Sequence, residues 1–294
     1  MGVVKAPSRI RSGDRLFGVL PLLPFFLFSG FFLIWPVIAV TLRSFKGNKN
    51  EWTLANYRPI LHSGPYFHAF VVSLKLSLIT ALIGSVIGAL FAYVIVKYAR
   101  GKFGAVIDSI SAVFANSGGV PLAFMFIAAF GTEGIVTKVL KDLGWDIYAG
   151  HFTIFSFTGV VMVYTFFQVP LMVLVFKPAI AGLRREWEEA SINLGASPFT
   201  YWRRVGIPIL TPSFVGAFFL IFAGGFSAYA TARALTVGTV PLVPIIIGTL
   251  VDGNVVSDQT NLGDALAVGM IVVATIVMTG YIWAQRKAGK WRSS

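Results

Sequence analysis

Six long apolar stretches dominate this sequence, and they restrict the chain to one kind of environment. They cover residues 16–42, 69–96, 103–130, 152–176, 209–232 and 266–284. Each is long enough to cross a bilayer as an α-helix, which takes about 20 mostly apolar residues. The stretches are continuous, whereas the strands of a membrane barrel alternate between apolar and polar residues. The sequence therefore predicts an all-α membrane protein with six transmembrane helices.

The composition excludes a soluble protein. Only 12% of the 294 residues are charged and 56% are hydrophobic, whereas a soluble domain carries about 25% charged residues. The chain has too little polar side chain to cover a surface that faces water, so a soluble enzyme or binding module is ruled out. The sequence has no cysteine, which excludes disulfides, thiolate metal sites and a cysteine nucleophile.

The distribution of basic residues predicts the orientation in the membrane. Of the 24 Lys and Arg residues, 16 lie in the terminal segments 1–15 and 285–294 and in the connections 97–102 and 177–204. The other three connections hold 7. Cytoplasmic loops are enriched in Lys and Arg, so both termini are expected in the cytoplasm of a cell-membrane protein. This bias also accounts for the net charge of +12 without a nucleic-acid partner.

Glycine and proline interrupt two of the predicted spans next to polar residues. The third span contains Gly118, Gly119 and Pro121, and the fifth contains Gly224 and Gly225. Broken backbone inside a bilayer is tolerated where it faces protein or a water-filled cavity. We therefore predict a substrate pathway between these two spans, near Asn116, Ser117, Phe226 and Tyr229. The alternative is an ordinary kink in each helix, with the aromatic rings packed between helices.

The long connection 177–208 has the local signals of two short helices. Residues 184–194 are good helix formers, Gly195 can end that helix with a positive φ, and Ser197 followed by Pro198 is typical of the start of the next one. The functional interpretation is a docking surface for a partner. The alternative is a solvated surface helix that Trp187 and Trp202 anchor to the membrane.

Residue spacing in this connection resembles a known signature. Glu189, Ala190 and Ser191 are followed by three residues, Gly195, nine residues and then Val205-Gly206-Ile207-Pro208. This is similar to the EAA motif of the permease subunits of ABC importers, with Ser for the second Ala, Val for Ile and Ile for Leu. The segments 41–45 and 52–57 resemble the same family, and 193–197 resembles its polyamine, iron(III), thiamine and phosphonate branch.

The resemblance implies a fold, a site and a set of partners. The fold would be that of a type I ABC-importer permease, with the connection 177–208 as a coupling loop. The coupling residues would be Glu189, Ala190, Ser191, Gly195, Ala196, Ser197 and Pro208. Partners would be a cytoplasmic ABC ATPase dimer, a second permease subunit (identical or paralogous), an extracytoplasmic substrate-binding protein and the lipid bilayer.

The chain itself lacks the residues for ATP hydrolysis. It contains no G-x-x-x-x-G-K-[ST] phosphate loop, so ATP and Mg²⁺ are expected on the partner ATPase and the chain is not an enzyme. Its three histidines, His62, His68 and His151, are far apart in sequence, so no metal site and no bound cofactor are expected.

The substrate is the least determined feature. A polyamine such as spermidine or putrescine is the favoured solute, because acidic residues are frequent in the loops predicted to face outward. A phosphonate, iron(III) or thiamine remains an alternative within the same machinery. An ion-coupled secondary transporter, or a membrane-embedded assembly factor, is an alternative of a different class.

Overall fold

The computed structural model describes residues 22–47, 49–62, 64–99, 101–150, 152–236, 238–251 and 260–289. Within these ranges, six helices are long and apolar enough to cross a membrane. The predicted all-helical, six-span architecture is therefore confirmed. The predicted N-terminal segment 1–15, the start of the first predicted span and residues 290–294 of the predicted tail lie outside the described residues.

The helices, in chain order over the described residues, have the following bounds. They are α1 (Leu23–Ser44), α2 (Tyr57–His62), α3 (Gly64–Tyr98), α4 (Gly101–Ala115), α5 (Val120–Phe130), α6 (Ile135–Asp142), α7 (Phe157–Ala181), α8 (Arg185–Asn193), α9 (Pro198–Ser227), α10 (Ala230–Thr236), α11 (Val243–Val251) and α12 (Thr260–Gly289). Helices α1 and α9 each contain one π-helical turn, at Gly30–Ile34 and Trp202–Gly206.

The third predicted span, 103–130, is two helices in the structure. Helix α4 ends at Ala115 and α5 begins at Val120. Gly119 between them has φ +106°, a conformation that only glycine adopts readily, and Pro121 cannot donate a helical hydrogen bond. The apolar segment then continues past the predicted end, because Val120–Asp142 also satisfies the length and hydropathy of a span.

The fifth predicted span, 209–232, is displaced toward the N-terminus. Helix α9 begins at Pro198 and ends at Ser227, so Pro208 lies inside a helix. The exposed part of the predicted coupling loop is therefore limited to residues 182–197 and the first turns of α9. The helix ends early because Ala228 is extended, with ψ 110°. Residues 230–236 then form the separate helix α10. The sixth helix also runs further than predicted, to Gly289.

Helices α3 and α7 form the centre of the bundle. The buried face of α3 is a row of small residues that includes Ser77, Ala81 and Gly88. A Cβ atom on Gly88 would lie 2.5 Å from the Cβ of Met172 on α7, so only glycine permits this approach. Small residues are what allows helix backbones to come close within a bilayer. The polar members of the row are mostly bonded locally, as Ser77 Oγ is to the Ser73 carbonyl at 2.7 Å.

Helix α9 packs against both members of this pair and α4 packs against α7, whereas α12 packs against α9, α11 and α1. Arg43 at the end of α1 forms an ion pair with the buried Asp264 of α12, Nε to Oδ2 3.0 Å. The short apolar helix α11 packs against α12 and α3, and its Val243 N–H donates to Ser73 Oγ at 3.0 Å. Val243, Pro244, Ile245 and Leu250 of α11 are buried, so this short helix is part of the packed bundle.

Candidate functional site

The turn between α8 and α9 is closed by its own backbone. Gly195 has φ +78°, its N–H donates to the Ile192 carbonyl at 2.8 Å, and the Ala196 N–H donates to the Ser191 carbonyl at 3.0 Å. These two bonds form a Schellman motif, the usual way in which a glycine ends a helix. The predicted helix end at Gly195 is therefore correct, and Ser191 and Ala196 contribute main-chain atoms to it.

Helix α9 starts with the predicted cap. Ser197 Oγ accepts a hydrogen bond from the Thr200 N–H at 3.3 Å, and Pro198 occupies the first helical position. Such a cap satisfies a main-chain donor that the helix itself leaves free. The two helices thus meet at a fixed angle set by residues 191–200, and their relative placement does not depend on a distant contact.

The outer surface of this turn is apolar. Leu194 is 87% exposed and Phe199 is 73% exposed, on either side of Gly195. The sequence analysis named the small residues around the glycine but not Leu194 and Phe199. An apolar residue beside an exposed glycine turn could have indicated a contact surface for a partner. Glu189 is not free: it pairs with Arg185 on the same helix, Oε1 to Nε 3.1 Å.

Trp202 joins this turn to the membrane-spanning helices. Its ring lies edge-on to Tyr93 of α3, with centroids 5.2 Å apart, and it packs with the core cluster of α3, α7 and α9. A Cβ on Gly206 would lie 2.7 Å from the Trp202 ring, so this glycine makes room for the indole. Trp187 instead stays on the surface beneath Arg184. Of the two tryptophans predicted as anchors, Trp202 is the one that packs against the spanning helices.

The predicted pathway residues of the third span lie at the break between α4 and α5. Asn116 and Ser117 bond to the carbonyls of their own helix, those of Ala112 and Phe114 at 2.8 Å each. The Gly119 N–H instead donates to Thr231 Oγ1 on α10 at 2.7 Å. Thr231 is buried. The two helix breaks that the sequence analysis singled out are therefore in direct contact.

Phe226 and Tyr229 do not share a helical face, because α9 ends between them. Phe226 is buried and stacks on Phe222 at 6.1 Å, which is packing. Tyr229 lies against α11, since a Cβ on Gly248 would be 2.7 Å from its ring and hydroxyl. The carbonyl of Ala228, freed by the break, accepts from Tyr164 Oη at 3.0 Å. Tyr229 therefore lies next to the helix break at Ala228, whereas Phe226 is part of the packed core.

An ion pair connects the loop end of α7 to α4. Lys177 Nζ donates to both carboxylate oxygens of Asp108, and both side chains are partly buried. Lys177 lies one turn before the end of α7, so the pair stands between the α7–α9 connection and the helix that leads to the Asn116 break. The sequence analysis did not identify this pair, because its two members are 69 residues apart.

No three or more His, Asp or Glu side chains come together in a metal-binding arrangement within the described residues.

Comparison with known proteins identifies the architecture. No model of a protein family matches the chain. The probable sulfate transport system permease protein cysT of Nephroselmis olivacea is 26% identical over 264 residues, which cover 88% of this chain and 87% of that protein. The molybdenum transport system permease protein ModB of Mycobacterium bovis is 31% identical over 166 residues, covering 55% of this chain and 57% of that protein.

A solved structure agrees with these relatives. A chain of the bacterial alginate ABC transporter, crystallised with an alginate pentasaccharide-bound periplasmic protein, matches with a TM-score of 0.73 at 18% identity. The match covers 92% of this chain and 93% of that chain. The chain has the fold of an ABC-importer transmembrane subunit. The relatives are importer permeases and the fold is that of an importer transmembrane subunit, as the resemblance implied, whereas the polyamine branch is not supported by relatives named for sulfate and molybdenum.

Proposed function

We propose that this chain is the permease subunit of a binding-protein-dependent ABC importer and that the α8–α9 turn is its coupling surface. One observation carries the proposal. A preformed, solvent-exposed pair of helices meets at a positive-φ glycine, on the segment that carries the EAA-like spacing, in a chain with the fold of an importer subunit. The partner would be a cytoplasmic ATPase dimer that binds ATP and Mg²⁺.

The chemistry of the turn fits a protein partner. Leu194 and Phe199 present apolar side chains beside Gly195, where no other atom of the chain lies within 4 Å of the position of a Cβ. Burial of two such side chains contributes about 1.5–3 kcal/mol each to an interface. The Arg185–Glu189 pair on α8 leaves the rim of this surface polar and solvated, as the rim of a protein interface usually is.

Two contacts carry motion of the turn into the membrane. Helix α8 follows α7 after only three residues, 182–184, so displacement of α8 moves the end of α7 that holds Lys177. The Lys177–Asp108 pair then moves α4, and the Trp202–Tyr93 contact moves α3 with α9. We infer that closure of the ATPase tilts these helices together and switches the pathway between inward-facing and outward-facing states.

The pathway is proposed at the break between α4 and α5. Asn116 and Gly118 are exposed there, although α4 places them about 22 Å from its start at 1.5 Å per residue. Polar groups and irregular backbone at this depth are not tolerated against lipid. They are expected to face a second permease subunit across a water-accessible pathway, and both an identical and a paralogous second subunit fit this requirement.

For the solute we propose an oxyanion in place of the polyamine. The relatives are named for sulfate and molybdenum transport. In addition, the two carboxylates of the described α4 and α12 are each paired with a cation, Asp108 with Lys177 and Asp264 with Arg43. Neither is free to attract a cation. The N-terminus of α5 lies at the break and carries the positive end of a helix dipole, which favours an anion.

Orientation is tested by labelling. Single cysteines replace Glu133, in the α5–α6 turn, or Ser197, in the α8–α9 turn, and the absence of native cysteine removes background. A membrane-impermeant thiol reagent added to intact cells is expected to label position 133 and not 197. Labelling at 197 from outside contradicts the cytoplasmic placement of the coupling turn.

Transport is tested in liposomes that contain the chain together with a candidate ABC ATPase and a candidate substrate-binding protein from the same organism. We expect ATP-dependent uptake of radiolabelled sulfate or molybdate, competition between the two, and no uptake of spermidine. Uptake of spermidine alone contradicts the oxyanion assignment and leaves the importer assignment in place. Uptake of either solute driven by an ion gradient in the absence of ATPase contradicts the importer assignment itself.

A further inference from the structure

An apolar groove lies between the loop ends of α3, α7 and α9. It encloses about 550 Å³. Its lining includes Leu90 and Tyr93 from α3, Ile180 from α7, and Trp202, Ile207 and Phe214 from α9. Leu90 and Ile207 are more than half exposed, so the groove is open along one side. In a membrane-spanning bundle this open side faces the hydrocarbon region or another protein.

The groove has a polar end and an apolar end. Tyr93 and Trp202 stand at the end nearest the α8–α9 turn, and Val86 lies seven residues before Tyr93, about 10 Å further into the bilayer. A slot of this length with apolar walls suits a flexible hydrocarbon chain that enters from the side.

A basic side chain lies at the polar end. Lys97 Nζ donates to Tyr93 Oη at 3.2 Å and also lies 5.5 Å from the centre of that ring, which places the ammonium group at the mouth of the groove. Arg203 and Arg204 follow Trp202 directly and are exposed. This arrangement is complementary to a phosphate-bearing headgroup, because basic pockets between helices on the cytoplasmic side recognise anionic lipids.

We propose that the groove binds an anionic phospholipid, with an acyl chain between α3, α7 and α9 and the phosphate at Lys97 and Arg203. The bound lipid supports the Tyr93–Trp202 contact from the membrane side. Because that contact links the coupling turn to α3, occupancy of the groove sets how firmly the turn is joined to the spanning helices. This proposal does not depend on the identity of the solute.

The experiment uses the full chain in nanodiscs of phosphatidylcholine. An increasing fraction of the lipid, from one preparation to the next, is replaced with phosphatidylglycerol or phosphatidylcholine brominated on the acyl chains, and bromine quenches nearby tryptophan fluorescence. The difference between the native protein and Trp202→Phe isolates the signal of Trp202. We expect brominated phosphatidylglycerol to quench this signal at a mole fraction several-fold lower than brominated phosphatidylcholine.

Charge variants test the headgroup contact. Lys97→Gln is expected to reduce the preference for phosphatidylglycerol about fivefold, the effect of one basic residue at a membrane surface, and Lys97→Gln with Arg203→Gln is expected to abolish it. Lys102→Gln removes a basic residue from the start of α4, a helix that contributes no side chain to the groove; it is the matched control and is expected to retain the preference. Ala89→Phe, which fills the groove from α3, is expected to lower quenching by both lipids.

Two results would overturn the proposal. Equal quenching of Trp202 by the two brominated lipids means that the groove takes any acyl chain and has no headgroup site. Absence of quenching by either lipid, together with disulfide crosslinking of Leu90→Cys to a second copy, means that the groove is an interface between permease subunits. Circular dichroism and thermal unfolding of each variant exclude loss of fold as the cause.

Discussion

The turn at Gly195 and the break at Gly119 are both made by a glycine with positive φ, but they are held in opposite ways. The hydrogen bonds of the Gly195 turn stay within residues 191–200. The N–H of Gly119 donates to Thr231, 112 residues away. The Gly195 turn is formed by neighbouring residues and is exposed to solvent, whereas the Gly119 break is held by the contact between α5 and α10 inside the bundle.

This difference agrees with what each region is proposed to do. A surface that docks a partner benefits from a shape that is preformed, because ordering a loop on binding lowers affinity. A pathway that opens and closes benefits from bonds between helices, which can be made and broken when the helices move. The Lys177–Asp108 pair stands between the two regions and is the contact through which we propose that one acts on the other.

The largest effect is expected from cutting that link. Lys177→Met leaves the partly buried Asp108 carboxylate without a cation, which we expect to cost about 1 kcal/mol because that side chain is 41% exposed, and to reduce ATP-driven uptake more than tenfold. Exchange of the charges, Asp108→Lys with Lys177→Asp, is expected to restore most of the uptake in liposomes.

The matched control for this pair is Lys138→Met, which removes the exposed ion pair with Glu133. Exposed pairs contribute little, so uptake should stay near the native rate. If Lys177→Met transports as well as Lys138→Met, the ion pair is not a link between the two regions.

The next effect comes from the local turn. Gly195→Val places a β-branched residue at φ +78°, a strain of about 2 kcal/mol that we expect the exposed turn to relieve by changing shape. ATP hydrolysis should then no longer depend on substrate, with uptake reduced about tenfold, while the melting temperature of the chain in detergent changes little. Gly195→Asn, which tolerates positive φ, is the control and should keep more than half of the coupling. Native coupling in the valine variant would remove the turn from the mechanism.

A smaller effect is expected at the long-range bond. Thr231→Val keeps the shape but removes the acceptor of the Gly119 N–H, which should lower the stability of the folded chain by about 1.5 kcal/mol. Thr236→Val on the same helix is also buried but loses only a bond to its own turn, Oγ1 to the Ala232 carbonyl. Equal melting temperatures for the two variants would mean that the break does not depend on α10.

The smallest effect is expected from the cap of α9. Ser197→Ala removes the acceptor of the Thr200 N–H and should cost about 1 kcal/mol of local helix stability, seen as faster hydrogen exchange at residues 199–201 with uptake reduced less than threefold. Ser197→Asp supplies another capping oxygen and should exchange at the native rate. Faster exchange across α7 in the alanine variant would show that the turn is less self-contained than its hydrogen bonds indicate.

The sequence alone determined the features that depend on near neighbours. Length and hydropathy placed six spanning helices, and Gly195, Ser197 and Pro198 marked the turn, because a helix end is satisfied by groups within a few residues. The spacing around Glu189 and Gly195 identified the importer fold. These inferences needed no knowledge of which helix lies beside which.

The tertiary structure alone decided the rest. It bonded the break at Gly119 to Thr231, ended α9 at Ser227, where the freed Ala228 carbonyl meets Tyr164 64 residues earlier, and paired Asp108 with Lys177. Lipid is as apolar as the helix faces themselves, so hydrophobicity places a helix in the bilayer without selecting its neighbour. Close packing of small residues and hydrogen bonds between distant segments make that selection, and they exist only once the bundle is assembled.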